Sequence, residues 1–279
     1  MSHSTLLAAA QILKIIAGLS QLGFGMWLLF RRPTSGMQAA FAISFAANGI
    51  AYVFFNLAMP GQRSAGSLAV EGRAACNWIA TLAMLAFAAL LIRAGRTKLA
   101  LLTGAVAGAL VLSADLLARG SSSLLNFGGI AIYPATALVL GMLPILFTRD
   151  SEVLGHGSVW LASALAINSV DHLGAELTDL HTSLILQLAA LAKVLLLWLV
   201  AGMTRDRRLS QPILLVMACM VLPFVAGILV REAAGSYVGV QRSGFIGVGR
   251  LVATALLTNA ARRQKLFPAT AVSLVAGAR

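Results

Sequence analysis

Nine apolar runs, each long enough to cross a bilayer as a helix, follow one another along this 279-residue chain. They cover 5–30, 37–58, 75–93, 98–118, 124–147, 157–177, 182–204, 211–230 and 237–259. A helix needs about 20 apolar residues to span a hydrocarbon core of ~30 Å, where every backbone amide must be satisfied within its own segment. Barrel strands would instead alternate polar and apolar residues over about ten positions. Segments such as LALLTGAVAGALVLSA and QPILLVMACMVLPFVAG are apolar on every side. The expected fold is an all-α polytopic transmembrane helical bundle of about nine spans. With 59% hydrophobic and 11% charged residues, against roughly 25% charged in a soluble domain, a water-soluble globule is excluded.

The chain carries 21 Lys and Arg against 9 Asp and Glu, a net charge of +12 that in a soluble protein would suggest nucleic acid. The positions of the charges point elsewhere. With the N-terminus outside, Arg31, Arg32, Arg93, Arg96, Lys98, Arg149, Arg205, Arg207, Arg208, Arg262, Arg263, Lys265 and Arg279 fall on the cytoplasmic face, 13 of the 21. Arg63, Arg73, Arg119 and Arg231 fall outside. Cytoplasmic loops collect Lys and Arg, so the excess predicts an outside N-terminus and a cytoplasmic C-terminus in a plasma (inner) membrane. The partner implied is the lipid bilayer, and nucleic acid is not expected. The first run has no basic region before it and is followed by Arg31-Arg32-Pro33 in place of a small-residue cleavage site, which predicts a retained helix.

The run 237–259 is the least apolar, because it holds Arg242 and Arg250; if it does not cross, the spans number eight and Arg262, Arg263 and Lys265 move outside. As a span it requires a protein partner or a wet cavity for both arginines. Its glycines Gly235, Gly239, Gly244, Gly247 and Gly249 would let another helix approach closely. One transmembrane domain is expected over 1–267, divisible into a seven-helix core over 1–204 and a two-helix extension over 211–259. A short cytoplasmic tail over 268–279 follows, leaving no room for a separate catalytic domain. Cys76 and Cys219 fall at different depths and read as separate small core residues.

An ionisable side chain at membrane depth costs at least ~2.5–3.5 kcal/mol, so each one needs a reason. Lys193 sits at the centre of its run, with eleven residues from Thr182 before it and eleven to Thr204 after it, out of easy reach of either interface. Lys14 lies nearer the outer face, and Asp115 and Asp171 lie near the outer ends of the fourth and sixth runs. With His172, and with Arg73 and Arg231 at the edge, they outline a polar cavity that opens outward above Lys193. Lys14, Gly18, Gln21 and Gly25 recur at intervals of 4, 3 and 4 and share a helix face that must pack inward. The plainer alternative is a set of ion pairs, Lys14 with Asp115 or Asp171, that fix helix order. Asn48, Asn56, Asn77, Asn168 and Gln187 add cross-helix hydrogen bonds worth roughly 0.6–2 kcal/mol each, with Asn77 also placed toward the cavity. No catalytic motif appears, and of His3, His156, His172 and His181 only the last two share a face of the membrane, so neither a catalytic residue nor a metal site is expected.

The stretch Gly249-Arg250-Leu251 through Ala255-Leu256-Leu257 to Arg262-Arg263-Gln264-Lys265-Leu266-Phe267 resembles the exit from the last membrane helix of multi-span, seven-helix-type bacterial sensors. The resemblance implies a sensor-like membrane domain that signals through a cytoplasmic partner. Ala192-Lys193-Val194 in the seventh run, with Trp78-Ile79-Ala80-Thr81 in the third, is similar to the retinal pocket of microbial rhodopsins. That likeness implies retinal as cofactor, Lys193 as its Schiff-base lysine and Asn77 or Asp171 near the counter-ion position. The functions to weigh are a sensor or receptor with an outward cavity for a small ligand or chromophore, a secondary transporter or channel using intramembrane Lys and Asp, a retinal protein, and a non-catalytic subunit of a larger membrane complex. An enzyme is the least supported class.

Overall fold

A computed structural model of the chain describes residues 3–31, 36–57, 68–95, 160–168, 184–203, 210–219 and 234–263, with 102, 105, 106, 170, 173 and 222. The regular structure among them is helical throughout. The elements are α1 (His3–Phe30), α2 (Gly36–Leu57), α3 (Leu68–Gly95), α4 (160–168), α5 (Leu184–Met203), α6 (Ser210–Cys219) and α7 (Ala234–Arg263). Four stretches have the length and apolar character to cross a membrane: Ala8–Phe30, Gly36–Leu57, Glu71–Leu91 and Gly244–Arg263. Ala190–Met203 and Ser210–Cys219 are shorter apolar helices. Where the sequence predicts nine spans, the described residues thus supply seven helices, four of them of spanning length. The runs 98–118 and 124–147 lie outside the described residues, apart from 102, 105 and 106.

The least apolar run proves to be one of the four. Its helix continues to Arg263, so Arg262 and Arg263 occupy the last turn, where unpaired carbonyls favour cations. At the opposite kind of end, α3 starts at Leu68, earlier than the apolar run, and Glu71 in its first turn suits the partial positive charge there.

Helices α1 and α2 form an antiparallel pair held at glycine distance. A Cβ on Gly25 would lie 2.6 Å from the Ala46 nitrogen and 2.7 Å from the Ala42 oxygen, and one on Gly49 would lie 2.6 Å from the Leu22 nitrogen. Lipid tails are as apolar as leucine, so helices associate there through close van der Waals contact, which small residues permit. Helix α3 returns along α2, with Gly36 facing Leu90 at one end and Gly72 facing Phe54 at the other. Helix α7 runs parallel to α1: Gly247 meets Leu13 and Lys14, Arg250 reaches Gln21, and Arg262 lies over Trp27, the positions ascending together.

Every residue of α4 is buried, so it lies at the centre with the other helices around it. Trp160 packs edge-on against Phe41 at 5.7 Å and Asn168 reaches Ser44, which makes α4 parallel to α2 and antiparallel to α1 and α7. Phe24, Phe41, Phe45, Phe87 and Trp160 form an aromatic layer in the half of the bundle nearer the C-terminal end of α1. Outward faces are apolar as well, with Ile12, Ile16 and Leu19 exposed on α1 and Leu195, Trp198 and Leu199 on α5.

Replacing Gly25 or Gly49 by Val is expected to drive α1 and α2 apart at a cost of about 1–3 kcal/mol, read as a lower thermal midpoint of the purified protein in detergent. Gly23→Ala, whose new methyl meets nothing within 4 Å, should hold or slightly raise that midpoint.

Candidate polar site inside the bundle

Arg250 is 1% exposed, and the partners that hold it come from other helices. Its Nε donates to Gln21 Oε1 at 2.7 Å, its Nη2 donates to Asn48 Oδ1, and its guanidinium lies 3.9 Å from the centre of the Tyr52 ring. Gln21 stands on α1 between Gly18 and Gly25, the residues that bring α1 against α2, and this close approach lets two short amides reach each other. Hydrogen bonds to a charged group contribute roughly 1.5–3 kcal/mol net, and a desolvated cation over an aromatic face about 2 kcal/mol more.

From Arg250 the donors continue in one direction. Gln21 Nε2 donates to Asn168 Oδ1 on α4 and to Asn48 Oδ1 at 3.3 Å. Asn168 Nδ2 donates to Ser44 Oγ at 3.3 Å, and Ser44 Oγ donates to the Ala80 carbonyl of α3 at 3.0 Å. A cation that only donates thus starts the chain and a backbone oxygen ends it, so each bond polarises the next in the same sense. Five helices, α7, α1, α4, α2 and α3, are tied by it. On α7 itself, Thr254 Oγ1 donates to the Arg250 carbonyl at 2.8 Å, and Thr258 Oγ1 to the Thr254 carbonyl at 2.7 Å.

At the α3 end of this chain two polar atoms are left over. Asn77 Nδ2 and Thr81 Oγ1 are buried and have no hydrogen-bond partner among the described residues. They flank Ala80 on the inward face of α3, one helical turn apart, and the antiparallel pairing of α2 with α3 sets Asn77 level with Asn48. An unmet buried donor costs about 1–3 kcal/mol, so this is where a bound group with acceptor atoms would gain most.

The residues expected to line a cavity are placed as follows. Gln21 is at the heart of the chain and Asn77 beside its end. Lys14 is half-buried on α1 with its stem against Gly247, and Lys193 is 3% exposed on the inward face of α5 with Ala190, Val194 and Leu197. Arg73 lies over the Phe55 ring at 3.9 Å. Asp115, Asp171, His172 and Arg231 lie outside the described residues, and so does the side chain of Arg242. Trp78, read as resembling a retinal-pocket residue, is 39% exposed and faces away from the interior, which takes Asn77, Ala80 and Thr81 instead. Of the two cysteines, both free, Cys219 is buried and Cys76 half-buried. The cavity set drawn from the sequence omits Arg250, Asn48, Asn168, Ser44 and Thr81; the signal available for them was an arginine in mid-run and the amides scattered through four other runs. No protein-family model, curated protein or solved structure matches the chain, so the geometry alone speaks to its function.

Arg250→Met is expected to cost about 1–3 kcal/mol by stripping Gln21 Oε1 of its donor. In a double-mutant cycle with Gln21→Leu, measured by thermal unfolding in detergent, the pair should cost less than the two single changes combined, by about 0.5–3 kcal/mol.

Proposed function

We propose that this chain is a nine-span membrane receptor of the sensor type, which takes a small acceptor-rich ligand beside the Arg250 chain and passes the signal to a cytoplasmic partner. The observation that carries the reading is the pair of unmet donors, Asn77 Nδ2 and Thr81 Oγ1, at the end of an otherwise continuous network. Polar groups kept only as glue between helices would be expected to find partners, as those of Gln21, Asn48 and Asn168 do. A ligand oxygen seated against Asn77 and Thr81 would bear on α3 and, through Ala80 and Ser44, on α2, α4, α1 and α7. Movement at α7 would reach the cytoplasmic end, where Arg263 is exposed to a partner. A transporter or channel is the second reading, favoured by the burial of two basic side chains, Lys193 and Arg250, within apolar helices.

Helix directions bear on the span count, and the orientation rests on the distribution of basic residues alone. Since α1 and α7 point the same way, an odd number of crossings is required if both span, which suits nine and not eight. Reporter fusions should then place the N-terminus outside and the C-terminus in the cytoplasm; termini on one side would contradict the proposal.

The ligand reading is tested by thermal unfolding of the purified full-length protein with small carboxylates, phosphates and polyols. A ligand at a hundred times its Kd should stabilise by about 2.7 kcal/mol. Asn77→Leu with Thr81→Val should raise the stability of the ligand-free protein and abolish that gain. A flat response of the native protein to all three classes would overturn the receptor reading, and solute flux into proteoliposomes would favour the transporter.

A further inference from the structure

Where α1 and α7 both end, two arginines 231 positions apart share one aromatic ring. The Arg31 guanidinium lies 4.3 Å from the centre of the Trp27 ring and that of Arg262 lies 5.9 Å from it. Arg263 is the next residue on α7, and all three side chains are exposed. Bringing like charges together is unfavourable unless something negative sits among them. The C-terminal ends of α1 and α7 supply about half a negative charge each, roughly one against three cations. Glu71 is the one acidic residue among the described residues, and it stands in the first turn of α3, at the far end of the bundle.

The surface beside these cations is that of a helix facing lipid. Leu19, Gly23, Met26 and Phe30 follow one another along the exposed side of α1, and Phe30, next to Arg31, is 77% exposed. Nothing lies within 4 Å of a Cβ built on Gly23, so the stripe has a shallow recess. Trp27 is placed as tryptophans are at membrane interfaces, its ring between an apolar body and a charged rim.

We propose that this corner is a binding site for an anionic phospholipid, with the headgroup phosphate held between Arg31 and Arg262 and an acyl chain laid along the Gly23–Phe30 stripe. Guanidinium groups suit phosphate because their planar forks present paired donors, and the shared Trp27 ring keeps both close to one place. The lipid ties the end of the first helix to the end of the last. The site rests on the chain crossing a membrane and is independent of the ligand site around Arg250.

The test is lipid binding by purified full-length protein. Retained lipids are read by native mass spectrometry, and the melting point is followed during titration with phosphatidylglycerol, phosphatidylcholine or inorganic phosphate. Phosphatidylglycerol should be retained at least tenfold over phosphatidylcholine and raise the melting point, with no shift from inorganic phosphate. Each Arg→Gln change at 31 or 262 should weaken retention about fivefold, the factor set by ~1 kcal/mol per basic residue near an anionic surface. Arg73→Gln, which removes a cation stacked on Phe55 at the opposite end, should leave retention unchanged. Equal retention of the two lipids, an equal shift from inorganic phosphate, or full retention by the Arg31→Gln/Arg262→Gln protein would each overturn the site. If that double variant does not fold, the comparison of the two lipids on the native chain decides alone.

Discussion

An arginine can donate hydrogen bonds but accept none, and a bundle surrounded by lipid has no bulk water to receive them. Arg250 therefore dictates what must gather around it. Acceptors have to come from α1 and α2, and each acceptor is half of an amide whose other half is a donor needing an acceptor in turn. The requirement passes from Gln21 to Asn168, from Asn168 to Ser44 and from Ser44 to a backbone carbonyl, which can accept without asking for anything more. Much of the bundle's arrangement follows from one cation and the need to end its chain of donors.

Short amides impose a second demand, because Gln21 and Asn48 meet only where backbones nearly touch. Gly18, Gly25 and Gly49 meet it, with Gly18 and Gly25 one turn to either side of Gln21 and Gly49 directly after Asn48. The same separation could not be kept by two helices with Leu at those positions. Packing and polarity are thus coupled: the glycines allow the hydrogen bonds, and the bonds fix which of several glycine-compatible registers the pair adopts. The aromatic layer of Phe24, Phe41, Phe45 and Trp160 begins one turn further on, beside the contact of Gly25 with Ala42 and Ala46.

What could be read in the sequence was whatever depends on one helix at a time. The inward face of α1 was legible from the spacing of Lys14, Gly18, Gln21 and Gly25, although Lys14 at its end is only half-buried. The need of Arg250 for a protein partner was legible from its place in an apolar run. Which residues would serve was not, since Gln21 and Asn48 stand 229 and 202 positions away and linear spacing does not say which helix faces which. Trp78 shows how narrow the margin is. One residue is about 100° of rotation, so a helix that turns Asn77, Ala80 and Thr81 inward must turn Trp78 out.

The parallel course of α1 and α7 links the two ends of the bundle to its interior. Parallel helices place like ends together, so the basic residues that close α1 and those that close α7 meet at one end, on one tryptophan. An antiparallel α7 would have carried Arg262 and Arg263 to the side of Glu71, the charge distribution that a membrane protein sorted by its basic residues avoids. Arg250 lies about three turns before Arg262, so with α7 reversed about Gln21 its C-terminal cations would leave the end of the bundle that Arg31 marks. One helix, α7, thus supplies both the cation that starts the buried donor chain and the one that joins Arg31 on Trp27 at the surface.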